Sequence, residues 1–210
     1  MNIPILVLTG GLAPAATYGT NISQLDFVTD LYTHGAKDYF YALGQHPYCW
    51  PLDPSIPDTY NWFLNTEQLR DIMVLNGDSL KDIWGTEMGW TTCDPNFNGV
   101  TEQQQSSFLI SAFEIWNDWT WTGPLIWYAY NDAGTDFNEP EDNFGMVDYN
   151  FNAKMALDSF LQVTNICETN ISSPVDVLIG HNGIQLFPNP ILNQFSIDGL
   201  IHNYQILVLD

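Results

Sequence analysis

Hydrophobic positions through the first three quarters of the chain alternate between short continuous runs and runs with helical spacing. The continuous runs predict four buried strands, at residues 3–8, 39–43, 82–86 and 124–130. The helically spaced runs predict four helices, at residues 25–34, 66–76, 101–116 and 153–163. Repeated strand–helix units predict an α/β fold in which a parallel sheet is covered by helices.

Loop lengths indicate which edge of this sheet carries the function. The loops after the second, third and fourth predicted strands are long and aromatic, whereas the turns after the first two helices are short. In a (β/α)8 barrel, the loops at the carboxyl ends of the strands build the active site. Four strand–helix units are half of such a barrel. A doubly wound open sheet is the competing fold, but the chain has neither a GxGxxG sequence nor a P-loop.

The strong net negative charge of the chain argues against anionic partners. Four Lys and Arg residues stand against 25 Asp and Glu, for a formal net charge of −21. This charge repels phosphate backbones and anionic lipids, so we expect no nucleic-acid binding and no attraction to a membrane surface. No apolar run approaches the ~20 residues of a membrane span, so we expect no membrane insertion. A neutral polymer such as a polysaccharide meets no electrostatic barrier here.

The cysteines give little further information. Cys49, Cys93 and Cys167 lie far apart, which permits one disulfide and leaves the redox compartment open. They form no CxxC pair and no His/Cys cluster with the spacing of metal ligands. We therefore predict neither a cofactor nor a metal.

Polar side chains suited to glycoside chemistry follow two of the predicted strands. Glu87 comes where the third strand meets its loop, and a glycosidase nucleophile needs a carboxylate that is held rigidly beneath a sugar ring. His46 and Tyr48 follow the second strand and are suited to hydrogen-bond that carboxylate or a sugar hydroxyl. The alternatives are a surface glutamate, a loop histidine beside a packed tyrosine, and a metal site built from His46, Glu87 and Asp132.

Aromatic residues at the strand ends are candidates for sugar binding, because an aromatic face stacks on the apolar face of a pyranose. The predicted substrate-binding residues of this kind are Trp50, Trp90, Trp127 and Tyr130. Core packing accounts equally well for the remaining tryptophans, so no binding role is predicted for them.

Asn138-Glu139-Pro140 has the form of the tripeptide that carries the acid/base residue in many glycosidases. It falls in the loop after the fourth predicted strand, whereas an acid/base residue is expected at a strand end before the nucleophile. We expect Glu139 to be non-catalytic, and the neighbouring Glu141 and Asp142 to cap the loop or the last helix.

Five stretches of residues 9–163 together resemble a known family: TGGLAPAATYGTNIS, LGQHPYCWP, IWGTEMGW, GPLIWYAYNDAGTD and EDNFGMV. They resemble the C-terminal half of clan A glycoside hydrolases, especially bacterial family 39-like and family 5-like, cellulase-type proteins. The resemblance implies strands five to eight of a TIM (β/α)8 barrel. It also implies that Glu87 is the strand-seven nucleophile, that His46 and Tyr48 belong to strand six, and that Trp127 lies at the subsite of the cleaved sugar.

The same resemblance implies a retaining mechanism with two carboxyl groups. The acid/base glutamate of the family ends strand four, which we expect upstream of Met1. We therefore expect the 210-residue chain to have little hydrolase activity by itself. The alternatives are a non-catalytic carbohydrate-binding barrel, a metal-assisted barrel hydrolase, and a half barrel that pairs with itself through its strand edges.

The end of the chain changes character. After the barrel portion, residues 1–164, a polar stretch at 165–184 is predicted to be a linker, and alternating apolar residues at 185–210 predict an all-β module. The sequence LFPNPILNQFSIDGL, followed by YQILVLD, is similar to the start of the β-sandwich sorting domain of type IX secretion. This similarity implies a truncated sorting domain, a secretion machinery as partner, and a secreted or cell-surface location.

Overall fold

A computed structural model of the chain describes residues 6–164 and three strands between residues 178 and 198. The chain divides into two compact units, residues 1–159 and 160–210. The first unit carries the parallel sheet and the candidate site, and the second carries a small antiparallel sheet.

The first unit is built on a parallel sheet. Its three strands, in the order β1-β2-β3, are β1 (Leu43–Gln45), β2 (Ile83–Met88) and β3 (Thr122–Trp127). On the free side of β1, single parallel bridges join Leu8 to Ala42 and Leu12 to Gln45, which extend the pairing by one more segment. The predicted α/β fold with a parallel sheet is therefore confirmed.

All four predicted helices are present. They are α1 (Gln24–Thr33), α2 (Thr66–Leu75), α3 (Glu102–Asp118) and α4 (Met155–Val163). The predicted capping box opens α3: the Thr101 side chain accepts a hydrogen bond from the Gln104 backbone, and the Gln104 side chain accepts one from the Thr101 backbone. The helical period in the sequence was sufficient to place these elements because each helix has one buried stripe.

The second predicted strand, residues 39–43, was placed wrongly. Residues Ala36–Tyr39 form a short 3-10 helix, and the strand begins only at Leu43. The 3-10 helix follows Gly35, which adopts a left-handed φ of 77°. It is held in place because Lys37 donates hydrogen bonds to two carbonyl groups beyond the end of α2. For the first predicted strand, residues 3–5 lie outside the described part, and residue 8 forms a single bridge.

The core lies between the sheet and its helices. Fully buried residues come from both, including Val28 of α1, Leu43 of β1, Leu69 of α2, Ile83 of β2 and Leu109 of α3. Burying a side chain of this size stabilises a fold by about 1.5–3 kcal/mol each. This packing fixes the strands and so fixes the directions in which their carboxyl ends project.

In the second unit, three strands pair antiparallel in the order β4-β5-β6: β4 (Leu178–Ile179), β5 (Gln185–Asn189) and β6 (Gln194–Asp198). Strands β5 and β6 lie within the segment 185–210 for which an all-β module is predicted. The other residues of the predicted linker and sorting module lie outside the described part, and the sorting domain stays a prediction. Among the described residues, no helix is long and apolar enough to cross a membrane.

Candidate active site

A cavity of about 550 Å³ opens at the carboxyl ends of β1, β2 and β3. It is lined by residues from the loops after all three strands and from the loop that precedes α1: Ala13, Pro14, His46, Tyr48, Trp50, Tyr60, Trp62, Glu87, Tyr128, Glu141 and Phe144. Six of these eleven side chains are aromatic, and two are carboxylates. The volume falls in the range of small-molecule sites. The cavity lies at the edge of the sheet that the loop lengths predicted.

A bulge near the end of β2 positions Glu87. Gly85 pairs with Leu125 and Met88 pairs with Trp127, so β2 contains one more residue than β3 between these two pairs. Such an extra residue bends a strand and re-aims a side chain. Glu87 lies within this stretch, and its side chain is 38% exposed toward the cavity that it lines.

Two side chains from the loop after β1 hold one oxygen of the Glu87 carboxylate. The Tyr48 hydroxyl donates to Oε2 across 3.2 Å, and Nδ1 of His46 lies 3.2 Å from the same oxygen. Among the described residues, no hydrogen-bond partner contacts Oε1. The carboxylate is thus oriented through one oxygen, while the second oxygen keeps its lone pairs available, as nucleophilic attack requires.

Tyr48 is suited to remain a donor. Burial, and then the negative charge of Glu87, raise the pKa of the Tyr48 hydroxyl far above its ordinary value of 10.0. The hydroxyl therefore keeps its proton through the physiological range and donates to Glu87 rather than repelling it.

A second tyrosine–glutamate pair faces the first. The Tyr128 hydroxyl donates to Oε2 of Glu141 across 3.3 Å. The rings of Tyr48 and Tyr128 meet edge to face with centroids 6.4 Å apart, and both contact Phe144. Burial, followed by the charge of Glu141, raises the pKa of Tyr128. The two carboxylates thus flank a common aromatic cluster.

Sequence reasoning missed this second pair. Glu141 was expected to cap a loop or helix, but it lines the cavity. The sequence prediction names Trp127 and not its neighbour Tyr128. Successive side chains of a strand point to opposite faces. This alternation indicates that only one of the neighbours Trp127 and Tyr128 can reach the cavity.

Three of the predicted sugar-binding residues lie elsewhere. Trp90 has no exposed surface, and its Nε1 donates to the Leu52 carbonyl across 2.8 Å. Trp127 is 8% exposed and packs on Trp90 with ring centroids 5.9 Å apart. A buried indole offers no face to a ligand, so both predictions are corrected to core packing. Tyr130 is exposed, but it lies outside the cavity lining.

The other candidate carboxylates have structural partners. Glu139 precedes the 3-10 helix Pro140–Asn143 and accepts a hydrogen bond from the backbone of Glu141, which fits the expected non-catalytic role. Asp132 forms a buried ion pair with Lys154, with a shortest N–O distance of 2.8 Å. Asp132 therefore does not join His46 and Glu87, and the described residues contain no cluster of three or more His, Cys, Asp or Glu side chains suited to a metal. Cys49 and Cys93 are buried free thiols.

Buried glutamines tie the loops around the cavity together. Gln105 of α3 donates to the carbonyls of Trp90, Phe144 and Gly145, at 2.7, 3.5 and 3.3 Å. It thereby joins the loop after β2 to the loop after β3. On the other side, Gln45 donates to Gln24, which itself donates to the loop before α1. Neutral amides hold the rim without adding charge.

Among solved structures, the chain is similar to a family 39 glycoside hydrolase from Bacteroides cellulosilyticus WH2. The TM-score is 0.57 at 18% identity, and the match covers 83% of this chain and 35% of that structure. The chain thus spans about a third of the length of the structure that it resembles. This likeness shows a shared fold, that of part of a glycoside hydrolase.

Two further structures are similar over smaller regions. A family 2 β-galacturonidase from Eisenbergiella tayi matches 60% of this chain and 24% of its own length at 16% identity, with a TM-score of 0.47. A family 5 protein, GH5_18 from Bifidobacterium longum, matches 44% and 22% at 19% identity, with a TM-score of 0.37. Both likenesses are too weak to carry an argument. No family model and no curated protein sequence matches the chain.

Proposed function

We propose that the parent protein hydrolyses O-glycosidic bonds in a polysaccharide or oligosaccharide by a retaining mechanism, and that this chain supplies the nucleophile, Glu87. One observation carries the proposal: a carboxylate at a strand end lies in an aromatic cavity, with one oxygen held by Tyr48 and His46 and the other without a partner in the described residues. The shared fold with part of a glycoside hydrolase supports it.

In the proposed reaction, the free oxygen of Glu87 attacks the anomeric carbon. A glycosyl–carboxylate ester forms while the bond to the leaving oxygen breaks, and a second carboxyl group gives that oxygen its proton. Water then hydrolyses the ester, with the second group acting as base. In a retaining enzyme the two carboxyl groups are ~5–5.5 Å apart. By resemblance, this acid/base residue belongs to a part of the parent that precedes residue 1.

The aromatic side chains provide the binding surface in this proposal. Trp50 and Trp62 line the cavity and are only partly buried, so each has ring surface for a sugar. Tyr48 releases no proton in the reaction, and it orients Glu87 throughout.

An activated substrate tests the proposal in this chain. A 2,4-dinitrophenolate leaving group needs no acid catalyst, whereas hydrolysis of the ester still needs a base. We therefore expect a burst of about one dinitrophenolate per chain followed by slow turnover, as an acyl-enzyme-type intermediate accumulates. The substrates are neutral dinitrophenyl glycosides of glucose, galactose and xylose in both anomeric configurations, followed by stopped-flow absorbance.

Two variants serve as the test and its control. Glu87→Gln should abolish the burst, and Glu139→Gln, which removes one charge outside the cavity, should retain it. A burst that persists in Glu87→Gln would contradict the assignment. Sugar binding without any burst would instead support a non-catalytic carbohydrate-binding protein, which the aromatic lining also favours.

We further propose that the protein is exported, because residues 185–210 are similar to a secretion sorting domain. In a host with a type IX machinery, removal of these residues should retain the protein inside the cell. Unchanged export of the shortened protein would refute the role of the tail.

A further inference from the structure

All the cationic side chains of the chain have partners away from the cavity. The sequence contains only four lysines and arginines, and the structure describes every one of them. Lys154 is buried against Asp132 and donates to its two oxygens at 2.8 and 3.1 Å. This pair leaves Lys154 unavailable to a ligand.

The other three cations lie before the strands rather than after them. Lys37 donates to the carbonyls of Asn76 and Gly77, at 2.8 and 3.0 Å. Arg70 donates to two carbonyls of the turn between α2 and β2, at 2.6 and 2.8 Å. Lys81 lies 3.0 Å from Asp78 and also donates to the Lys37 carbonyl. These contacts place all three at the amino ends of β1 and β2, at the edge opposite the cavity.

The cavity therefore holds negative charge with no lysine or arginine among its lining residues. Glu87 and Glu141 both line it. Their fields overlap, because the charge of each glutamate contributes to raising the pKa of both Tyr48 and Tyr128. His46 is the one imidazole in the lining, and its Nδ1 already lies 3.2 Å from Oε2 of Glu87.

We propose that this cavity selects neutral glycosides and discriminates against uronic acids, and that Glu141 is the residue that sets the preference. The inference rests on the proposed function, since it concerns the sugar that the same cavity binds. As the nucleophile, Glu87 is needed for every substrate. The residue whose charge can set the preference between neutral sugars and uronates is therefore the second carboxylate, Glu141. A uronate would bring a third negative charge into a cavity that offers it no cationic partner.

The expected electrostatic repulsion is large enough to measure as a difference in sugar affinity. Like charges a few ångströms apart near a protein surface repel by an amount equivalent to about a tenfold change in affinity. A hydroxymethyl group in place of the carboxylate carries no such penalty, and the Tyr128 and Glu141 side chains remain available to hydrogen-bond hydroxyl groups.

The test compares matched sugars on matched variants. Methyl α- and β-glycosides of glucose and galactose are titrated against the corresponding methyl uronides at low ionic strength, by calorimetry or by NMR shifts. We expect at least one neutral glycoside to bind about tenfold more tightly than its uronide. Glu141→Gln should narrow that ratio by about fivefold through tighter uronide binding, and Glu139→Gln, with the same change in total charge two residues away, should leave it unchanged.

Each outcome decides a different claim. Equal or tighter binding of the uronides to the unmodified chain would overturn the inference and leave the proposed function standing. A ratio that Glu141→Gln and Glu139→Gln change alike would overturn the role of Glu141, because only total charge would then matter. Failure of every sugar to bind, together with no burst from the dinitrophenyl glycosides, would overturn the proposed function and the inference with it.

Discussion

The two edges of the parallel sheet use charge in opposite ways. At the amino edge, Lys37, Arg70 and Lys81 donate to backbone carbonyls of the segments that enter β1 and β2. At the carboxyl edge, Glu87 and Glu141 line a cavity with no lysine or arginine in its lining. Three of the four cations stabilise the amino edge, and the fourth, Lys154, is paired with Asp132 outside the cavity.

The loops that line the cavity at the carboxyl edge are joined by buried neutral amides. Gln105 and Gln45 are fully buried; Gln105 donates to the Trp90 carbonyl, and Gln45 donates to Gln24 of α1 and to the Trp62 carbonyl. An amide satisfies a carbonyl without cancelling a carboxylate's charge. The paired cations therefore stabilise the fold, whereas the carboxylates of the cavity are available to a ligand. Substitutions in the two groups should change different properties of the protein.

The largest expected loss of stability comes from Lys154→Met. It would leave Asp132 buried with a backbone donor, the Gly145 N–H, but no cation, and breaking one side of a buried ion pair costs about 3–5 kcal/mol. Urea unfolding would measure the change. The double variant Lys154→Met/Asp132→Leu should regain most of the loss, and a single-variant effect below about 1 kcal/mol would contradict the assignment of this pair as structural.

Gln105→Leu should cost less, about 1–3 kcal/mol, because buried carbonyls would lose their side-chain donor. It should also loosen the loops after β2 and β3, which faster hydrogen exchange in residues 89–92 and 143–146 would reveal. Gln103→Leu on the exposed face of the same helix is the control. Equal stability losses in the two variants would argue against the role given to Gln105.

Lys81→Met sharpens the contrast between the edges. Asp78 would lose its cation and keep the Tyr32 hydroxyl at 2.9 Å, so we expect a loss of about 1–2 kcal/mol with unchanged sugar affinity. Glu141→Gln, in an exposed residue at the other edge, should show the reverse: altered uronide affinity with little change in stability. Sugar affinity that falls in Lys81→Met would break the proposed separation.

At neutral pH, the smallest change in the free energy of unfolding is expected from Tyr48→Phe. The folded-state pKa of Tyr48 is raised above its ordinary value of 10.0, so the hydroxyl's contribution to stability is present below pH 10 and is lost as pH rises from there. For one such tyrosine the loss is at most ~1.4 kcal/mol per pH unit. Tyr48→Phe should therefore flatten the alkaline decline in urea midpoint, and an unchanged slope would refute the protonated state of this partly buried hydroxyl.

Much of the fold was predictable from sequence because helical periodicity reports a buried stripe directly. The sequence also predicted that His46, Tyr48, Trp50 and Glu87 lie at one edge of the sheet, because the carboxyl ends of parallel strands meet there. It failed where the direction of a side chain depended on neighbours distant in sequence. The burial of Trp90 follows from its contact with Trp127.

The same limit explains the second carboxylate. Glu141 reaches the cavity through the path of a long loop, which no local pattern encodes. The 3-10 helix Ala36–Tyr39 was misassigned for a similar reason, because Lys37 is held by carbonyls some 40 positions later in the chain. The spacing of residues along the sequence identifies candidate site residues. Contacts between distant parts of the chain determine which of these residues line the cavity.

The most direct measurement for the central claim is covalent trapping of Glu87. The chain is incubated with neutral 2,4-dinitrophenyl 2-deoxy-2-fluoro-glycosides, and mass spectrometry of its peptides locates any added sugar, because the fluorine slows breakdown of the glycosyl ester. The account predicts one sugar per chain on Glu87, and no label in Glu87→Gln. A label on Glu141 or another residue, or an unlabelled chain that nevertheless binds the sugars, would contradict it.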